Sequence, residues 1–364
     1  MATSAAPTSQ QGASRHHGFH PLRVARVVHE TADAASFVLA VPPELDADFA
    51  YEAGQFLTFR VTVDGQVHHR CYSMSSAPAV ADELQVTIKR VPGGVVSNWM
   101  IDGLKPGDVV EASVPAGVFC LGAGEGDLVA FCGGSGITPV FSLLKTALAA
   151  TGRRVHLYYA NRDRASVIFA AELDALVERH PDRLEVVHHL DAERGFVDAD
   201  AVRPFLGSTA GADVYVCGPT PFMDIVEGAL LDHGVPGDRI HIERFTPASA
   251  ASGDEAAGAS GVDASEAGDA DAPARITIEL GGRTGTVEHR PGTTVLQAAR
   301  ELGMSPPYSC ESGSCATCMA KLVNGTVKMH VNDVLTDDEV ADGWVLTCQS
   351  VPTAPSVHVI YEES

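Results

Sequence analysis

Basic charge is what this sequence has least of. Lysine and arginine together number 25 against 47 aspartates and glutamates, giving a formal net charge of −22. Such an acidic surface argues against nucleic acid as a partner, because phosphates attract basic patches. It suits a partner with a basic docking face, which it would steer in, or serves solubility alone. Long hydrophobic runs are missing too. Nothing approaches the roughly 20 consecutive apolar residues of a membrane helix, so no membrane partner is expected. Residues 1–20, rich in Ser, Ala, Gln and His, lack the apolar stretch of a signal peptide and read as a disordered lead-in. An even scatter of cysteine is also lacking. Four of the 8 cysteines fall within the last 55 residues, which excludes a disulfide framework and points to a cofactor site in a reducing, cytoplasmic compartment. No internal repeat is visible.

What is present is ordinary globular material. The 364 residues are 45% hydrophobic and 20% charged, enough for two or three domains at roughly 100–200 residues each. Residues 21–124 show short strands at 22–28, 36–41, 55–63, 69–73, 84–90 and 109–113. Turn signals such as Val63-Asp64-Gly65 separate them, which predicts a closed antiparallel barrel. Residues 125–246 alternate instead. Strands at 128–132, 155–160, 184–188, 213–217 and 239–243 interleave with helices at 139–149, 170–179 and 222–233. That pattern predicts a parallel sheet covered on both faces. Residues 247–274 are mostly Ala, Ser, Gly, Asp and Glu and read as a flexible acidic linker, spanning roughly 30 Å as a coil. Residues 275–364 become compact again, with strands at 276–280, 286–289 and 356–361 and a helix at 294–302.

The cysteine spacing carries the most chemistry. Cys310-x4-Cys315-x2-Cys318 is followed, after 29 intervening residues, by Cys348. A 2Fe–2S cluster needs four thiolates, three from one loop and a fourth returning from elsewhere, and this is the plant-type ferredoxin spacing. Ser312, Gly313 and Ser314 suit a loop whose backbone N–H groups approach the sulfurs closely. A structural zinc site is the alternative, but such sites usually pair two short Cys-x2-4-Cys units. Four unrelated buried cysteines are another.

Two further sites are legible. Arg70-Cys71-Tyr72-Ser73 ends a strand and offers a cation for phosphates, an aromatic plane for a flavin ring and a hydroxyl near N5. Gly93-Gly94-Val95-Val96-Ser97-Asn98 precedes a helix expected to start at Trp99, and helix N-termini bind pyrophosphate. Gly133-Gly134-Ser135-Gly136-Ile137-Thr138-Pro139 follows a strand and opens a helix. It departs from G-x-G-x-x-G but keeps glycines for close backbone approach to phosphates. Cys217-Gly218-Pro219 follows the fourth strand of the alternating region, with Met223 beyond; Cys217 also reads as a buried thiol. After the second such strand, Arg162 and Arg164 would suit a 2′-phosphate and hence NADPH, whereas Asp163 would suit ribose hydroxyls and NADH. The paired histidines, such as His68-His69 and His188-His189, point apart on strands and are not expected to bind metal. Cys120 and Cys132 read as packed residues.

These segments, in this order, resemble the ferredoxin–NADP reductase superfamily followed by a plant-type ferredoxin domain. The resemblance implies a multidomain fold: an antiparallel FAD barrel, an α/β nucleotide-binding domain and an α+β β-grasp ferredoxin domain. It implies FAD contacts from Arg70, Tyr72, Ser73, Val95, Val96 and Ser97, with Cys71 a packing residue. It also implies nicotinamide-nucleotide contacts from Gly134, Gly136, Thr138, Asn161, Arg162, Cys217, Gly218, Pro219 and Met223. Glu243 and Phe245 fall at the flavin edge, and Ser73, Cys217 and Glu243 are the catalytic candidates. The module order is similar to the reductase components of multicomponent oxygenases, particularly those of 3-ketosteroid 9α-hydroxylases, and next the phenylacetyl-CoA epoxidase reductase. Similar segments include 160–163, 166–169 and 331–335; the long lead and Glu311 in the cluster loop depart from the pattern. The expected function is electron transfer from NADH, rather than NADPH, through FAD and the 2Fe–2S cluster to a terminal oxygenase of the Rieske type. A reading of another class, a non-enzymatic iron–sulfur scaffold or sensor, would require one of these sites to be broken.

Overall fold

The computed structural model describes residues 19–209, 211–245, 275–288, 290, 292–304, 306, 308, 313, 316–332 and 334–361. Residues 1–18 of the expected lead-in and the acidic linker fall outside these residues, as do Cys310 and Cys315, whereas Phe19 and His20, also expected in the lead-in, are paired at the start of the first strand.

The first region is a six-stranded antiparallel sheet. Its strands are β1 (Phe19–Thr31), β2 (Ala34–Ala40), β3 (Phe56–Val63), β4 (Gln66–Ser73), β5 (Gln85–Lys89) and β6 (Val109–Ser113), in the order β4-β3-β6-β1-β2-β5. The outer strands meet through a bridge between Met74 and Val86, which closes the barrel and removes its edges. β3 and β4 form a hairpin whose two turn residues, Asp64 and Gly65, have φ of 52° and 82°. A two-residue turn with both φ values positive matches the twist of the flanking strands, and Asp-Gly is suited to it. Phe37, Leu57, Phe59 and Ile88 fill the interior, and helix α1 (Val95–Gly103) plugs one end with Val96 and Met100. The helix begins at Val95, four residues before the expected Trp99. Gly93, at φ 72°, turns the chain, and Gly94, still extended, releases the next residue into the helix.

The second region is a five-stranded, wholly parallel sheet in the order β11-β10-β7-β8-β9. It comprises β7 (Leu128–Gly133), β8 (Val155–Asn161), β9 (Leu184–Leu190), β10 (Asp213–Cys217) and β11 (Ile240–Glu243). Helices α2 (Ile137–Ala150) and α3 (Ala170–Arg179) pack on one face. The short α4 (Asp191–Arg194) follows β9, and α5 (Ala199–Val202) and α6 (Thr220–Asp232) pack on the other face. Both faces are covered, so β7 is buried at all six residues. Chain order reverses between β7 and β10, and ligands bind at such a switch point, beyond the carboxyl ends of the strands.

Buried polar contacts join the first two regions. The Tyr215 hydroxyl donates to the Cys120 carbonyl at 3.1 Å and accepts from Gly122 N at 2.8 Å. Arg153, paired with Asp213 at 2.7 Å, also donates to the carbonyls of Gly122 and Gly126. Ser142 Oγ donates to the Ser76 carbonyl at 2.5 Å.

The third region is a mixed five-stranded sheet in the order β13-β12-β18-β14-β16, from β12 (Arg275–Leu280), β13 (Arg283–Glu288), β14 (Met319–Asn324), β16 (Trp344–Leu346) and β18 (Ser356–Ile360). A second ladder pairs β15 (Val327–Met329) with β17 (Ser350–Pro352). Helix α7 (Val295–Glu301) lays Val295, Ala298 and Ala299 against Ile276, Ile278 and Val359. The short α8 (Asp337–Ala341) precedes β16.

Candidate functional site

Strand β4 delivers Arg70, Tyr72 and Ser73 to the mouth of the barrel. Tyr72 lies across β3 from Leu57, its ring 5.9 Å from that of Phe59. Burial holds its hydroxyl well above the ordinary tyrosine range, so it is neutral. Arg70 donates to the His69 carbonyl at 2.8 Å. The first turn of α1 has no side-chain cap, because Gly94 has none to offer. Ser97 is buried and its hydroxyl accepts from Val91 N at 3.1 Å, while Val95 is exposed. Helices α2 and α6, at the switch point, are uncapped in the same way, behind Gly136 and Pro219. Helices α7 and α8 carry full capping boxes from Thr294 with Gln297 and from Thr336 with Glu339. Uncapped N–H groups are donors for an anion, and α1, α2 and α6 offer them beside the expected cofactor sites, although α3 and α4 are uncapped too.

The two loops at the switch point are packed backbone to backbone. A Cβ on Gly136 would lie 2.1 Å from the Cys217 carbonyl, and one on Gly218 would lie 2.9 Å from Gly133 N. These glycines are therefore required by the neighbouring loop, whereas the sequence suggested close approach to phosphates. Gly134, at φ 53°, makes the turn itself. Thr138 is buried, its hydroxyl donating to the Ser135 carbonyl at 3.1 Å. Met223 is wholly buried in the core with Val226 and Leu230, so its side chain packs inside the fold. Asn161, at the end of β8, is buried with neither amide atom in a well-formed hydrogen bond. Arg162 is exposed, its Nε donating to Asp163 Oδ2 at 2.9 Å, and the other Asp163 oxygen accepts from Ser166 N.

The catalytic candidates converge where barrel and parallel sheet meet. Ser73 Oγ donates to Glu243 Oε2 at 2.9 Å, bridging residues 170 apart in sequence. Cys217 is the register partner of Glu243 on the adjacent strand. Burial raises the Glu243 carboxyl from 4.5 to about 8, with the Ser73 hydrogen bond opposing the rise. Burial, Glu243 and Cys132 push the Cys217 thiol well above its usual range, so it is a neutral packing group rather than a nucleophile. Phe245, just beyond β11, packs partly against the same core.

In the third region, Met319 pairs with Leu346 across antiparallel β14 and β16. This register carries Cys318, just before β14, towards Cys348, just after β16. Thr347 locks the approach, its N and Oγ1 both donating to the Cys318 carbonyl, at 3.1 and 2.8 Å. Both cysteines are buried and both act electrostatically on Tyr361, whose hydroxyl donates to Thr347 Oγ1. Gly313 at φ 87° and Ala316 at φ 55° supply the left-handed turns on either side of Cys315. The Asn332 side chain braces the loop that buries Val334 and Leu335 beside Cys318 and Cys348. The sequence marked residues 331–335 only by likeness.

Residues 21–120 match the family described as oxidoreductase FAD-binding domain, 131–228 the oxidoreductase NAD-binding domain and 278–353 the 2Fe-2S iron-sulfur cluster binding domain. Over 340 residues the chain is 42% identical to the ferredoxin reductase component of 3-ketosteroid-9-alpha-monooxygenase from Rhodococcus rhodochrous, spanning 93% of this chain and 95% of that one. The chain belongs to the FAD- and 2Fe–2S-dependent oxygenase reductases. One component of 1,2-phenylacetyl-CoA epoxidase from Escherichia coli is 32% identical over 361 residues, 94% of this chain and 98% of that one. The solved structure of phthalate dioxygenase reductase aligns with a TM-score of 0.55 at 25% identity, over 94% of this chain and 98% of that chain.

This oxygenase reductase has donor sets that fit all three groups. The α1 N–H groups and Arg70 suit the anionic FAD phosphates. The unsatisfied amide of Asn161 and the uncapped α2 suit a dinucleotide. Two buried thiols brought together by register suit an iron–sulfur cluster. Among the described residues, no helix is long and apolar enough to cross a membrane.

Proposed function

We propose that this oxygenase reductase is NADH-dependent, works in the cytoplasm and serves the terminal component of a 3-ketosteroid 9α-hydroxylase. The observation behind the steroid assignment is likeness across all three modules, at 42% identity over 93% of the chain. The Arg162–Asp163 ion pair supports NADH. It engages Arg162 through Nε and sets a carboxylate, which would repel a 2′-phosphate, beside that position.

When bound, FAD takes hydride from the nicotinamide and yields single electrons to the cluster. The chain's residues orient that exchange. Arg70 and the N–H groups of Val95, Val96 and Ser97 hold the FAD phosphates, and Tyr72 covers the flavin ring. Ser73 presents its hydroxyl near the reacting edge, anchored by Glu243. Gly134, Gly136, Thr138, Gly218 and Pro219 shape the nicotinamide side, with Asn161 and Arg162 on the adenosine side. Cys217, wholly buried, packs uncharged behind the nicotinamide side, and Phe245 closes the flavin edge. Below pH about 8, Glu243 is a neutral acid able to hold or exchange a proton beside Ser73. Cys310, Cys315, Cys318 and Cys348 hold the cluster.

The test is NADH-driven hydroxylation of androstenedione with a purified ketosteroid oxygenase component, ferricyanide reduction being the control. Product that depends on this chain supports the assignment. An active control without product refutes the steroid partner and turns the search to a phenylacetyl-CoA epoxidase. A protein that stays colourless and inactive after reconstitution would favour the scaffold or sensor reading.

A further inference from the structure

The third region is seated on the barrel, and one contact joins the two cofactor sites. Cys71 Sγ lies 3.1 Å from Thr317 Oγ1, a hydrogen bond in which either atom can donate. Cys71 is the residue between Arg70 and Tyr72, and Thr317 is the residue before Cys318. The bond therefore links the neighbour of a flavin-site residue to the neighbour of a cluster cysteine. Thr58 Oγ1, on β3, stands 3.4 Å from the same sulfur and fixes the thiol from behind. Two more contacts define this face. Phe19, the first residue of β1, is buried among Leu296, Cys318, Leu346 and Cys348, with the Arg60 guanidinium 4.6 Å from its ring centre. His69, whose ring is 5.5 Å from that of Phe19, places Nε2 3.7 Å from Glu339 Oε1, beyond hydrogen-bond distance. The apolar anchor resists separation without fixing orientation, because burial is non-directional. The Cys71–Thr317 hydrogen bond is directional and sets the angle at which the cluster loop meets the barrel.

We propose that Cys71 and Thr317 are a positioning pair that seats the cluster loop on the barrel for electron transfer from the flavin to the cluster. This rests on the relay proposed above. NADH supplies two electrons as hydride; each transfer removes one electron from the reduced flavin and adds one to the cluster, which hands it to the terminal oxygenase before accepting the second, and the flavin's proton leaves to solvent. Cys71 has a role here beyond packing, and it touches no reacting atom.

The experiment is anaerobic stopped flow on the holoenzyme with NADH, following flavin and cluster absorbance separately, with amide hydrogen exchange over residues 66–74 and 316–319. Cys71→Ala and Thr317→Val should each leave flavin reduction unchanged. Each should slow cluster reduction about three- to tenfold, the range one neutral hydrogen bond controls, and raise exchange across the contact. The double variant should be no slower than either single one, because both break the same bond. Cys71→Ser, which keeps a hydrogen-bonding group, should restore most of the rate. Unchanged cluster reduction in both single variants would overturn the proposal, as would a double variant whose defect is the product of the two. Failure of NADH to reduce flavin in the unaltered protein would instead refute the relay itself.

Discussion

Glu243→Gln gives a signed, pH-dependent prediction. The carboxyl is buried, and its value rises from 4.5 in the unfolded chain to about 8 in the fold. A raised acid favours folding fully below about pH 4.5. Between there and about pH 8 the unfolded chain ionises while the folded one stays protonated, and stability falls by about 1.4 kcal/mol per pH unit. At pH 7 the accumulated cost has an upper bound of about 3 kcal/mol, with no further fall above about pH 8. Glutamine keeps the shape and can still accept from Ser73, but does not ionise. The variant should therefore match the original protein in urea midpoint near pH 4.5, exceed it at pH 7, and exceed it by more at pH 8.5. Hydride transfer should lose any limb near pH 8 that the original protein shows. Equal urea midpoints at all three pH values, or a variant advantage smaller at pH 8.5 than at pH 4.5, would refute the buried-acid account.

Ser73→Ala removes the donor to Glu243 and should slow flavin reduction about tenfold in stopped flow, as expected for loss of one well-placed hydrogen bond, while FAD stays bound. Asp163→Ala frees Arg162, so kcat/KM for NADPH should rise about tenfold relative to NADH, as expected for removal of an opposing charge. Gly136→Ala drives a methyl into the Cys217 carbonyl 2.1 Å away and should cost about 3 kcal/mol in urea unfolding, with weaker NADH binding. Cys348→Ser should abolish the cluster spectrum and oxygenase support while sparing ferricyanide reduction.

Much of this was legible because it rests on local periodicity. The barrel strands announced themselves as short runs spaced between turn residues, and the Asp64–Gly65 hairpin by its turn chemistry. The central parallel strand β7 was a continuous apolar run, as a strand covered on both faces must be. Less legible were β15, β16 and β17, three residues each, and α8, five residues long, because such segments are too short to show a period. Site residues grouped by a contiguous motif could be named from sequence alone. Their contacts could not. Ser73 and Glu243 meet only because the barrel folds onto the parallel sheet, and no spacing rule spans 170 residues. Gly136 was singled out for close backbone approach, and its contact with the Cys217 carbonyl was not legible from the motif. Met223 followed a motif into a helix whose inner face is core. Cys71 read as packing because its partner, Thr317, lies in another domain.

The most direct test of the relay is electron paramagnetic resonance of the anaerobic holoenzyme, frozen at successive times after NADH addition. Flavin bleaching followed by the signal of a reduced 2Fe–2S cluster, lost in Cys348→Ser, is the predicted result. Flavin bleaching with no cluster signal at any time would contradict the account.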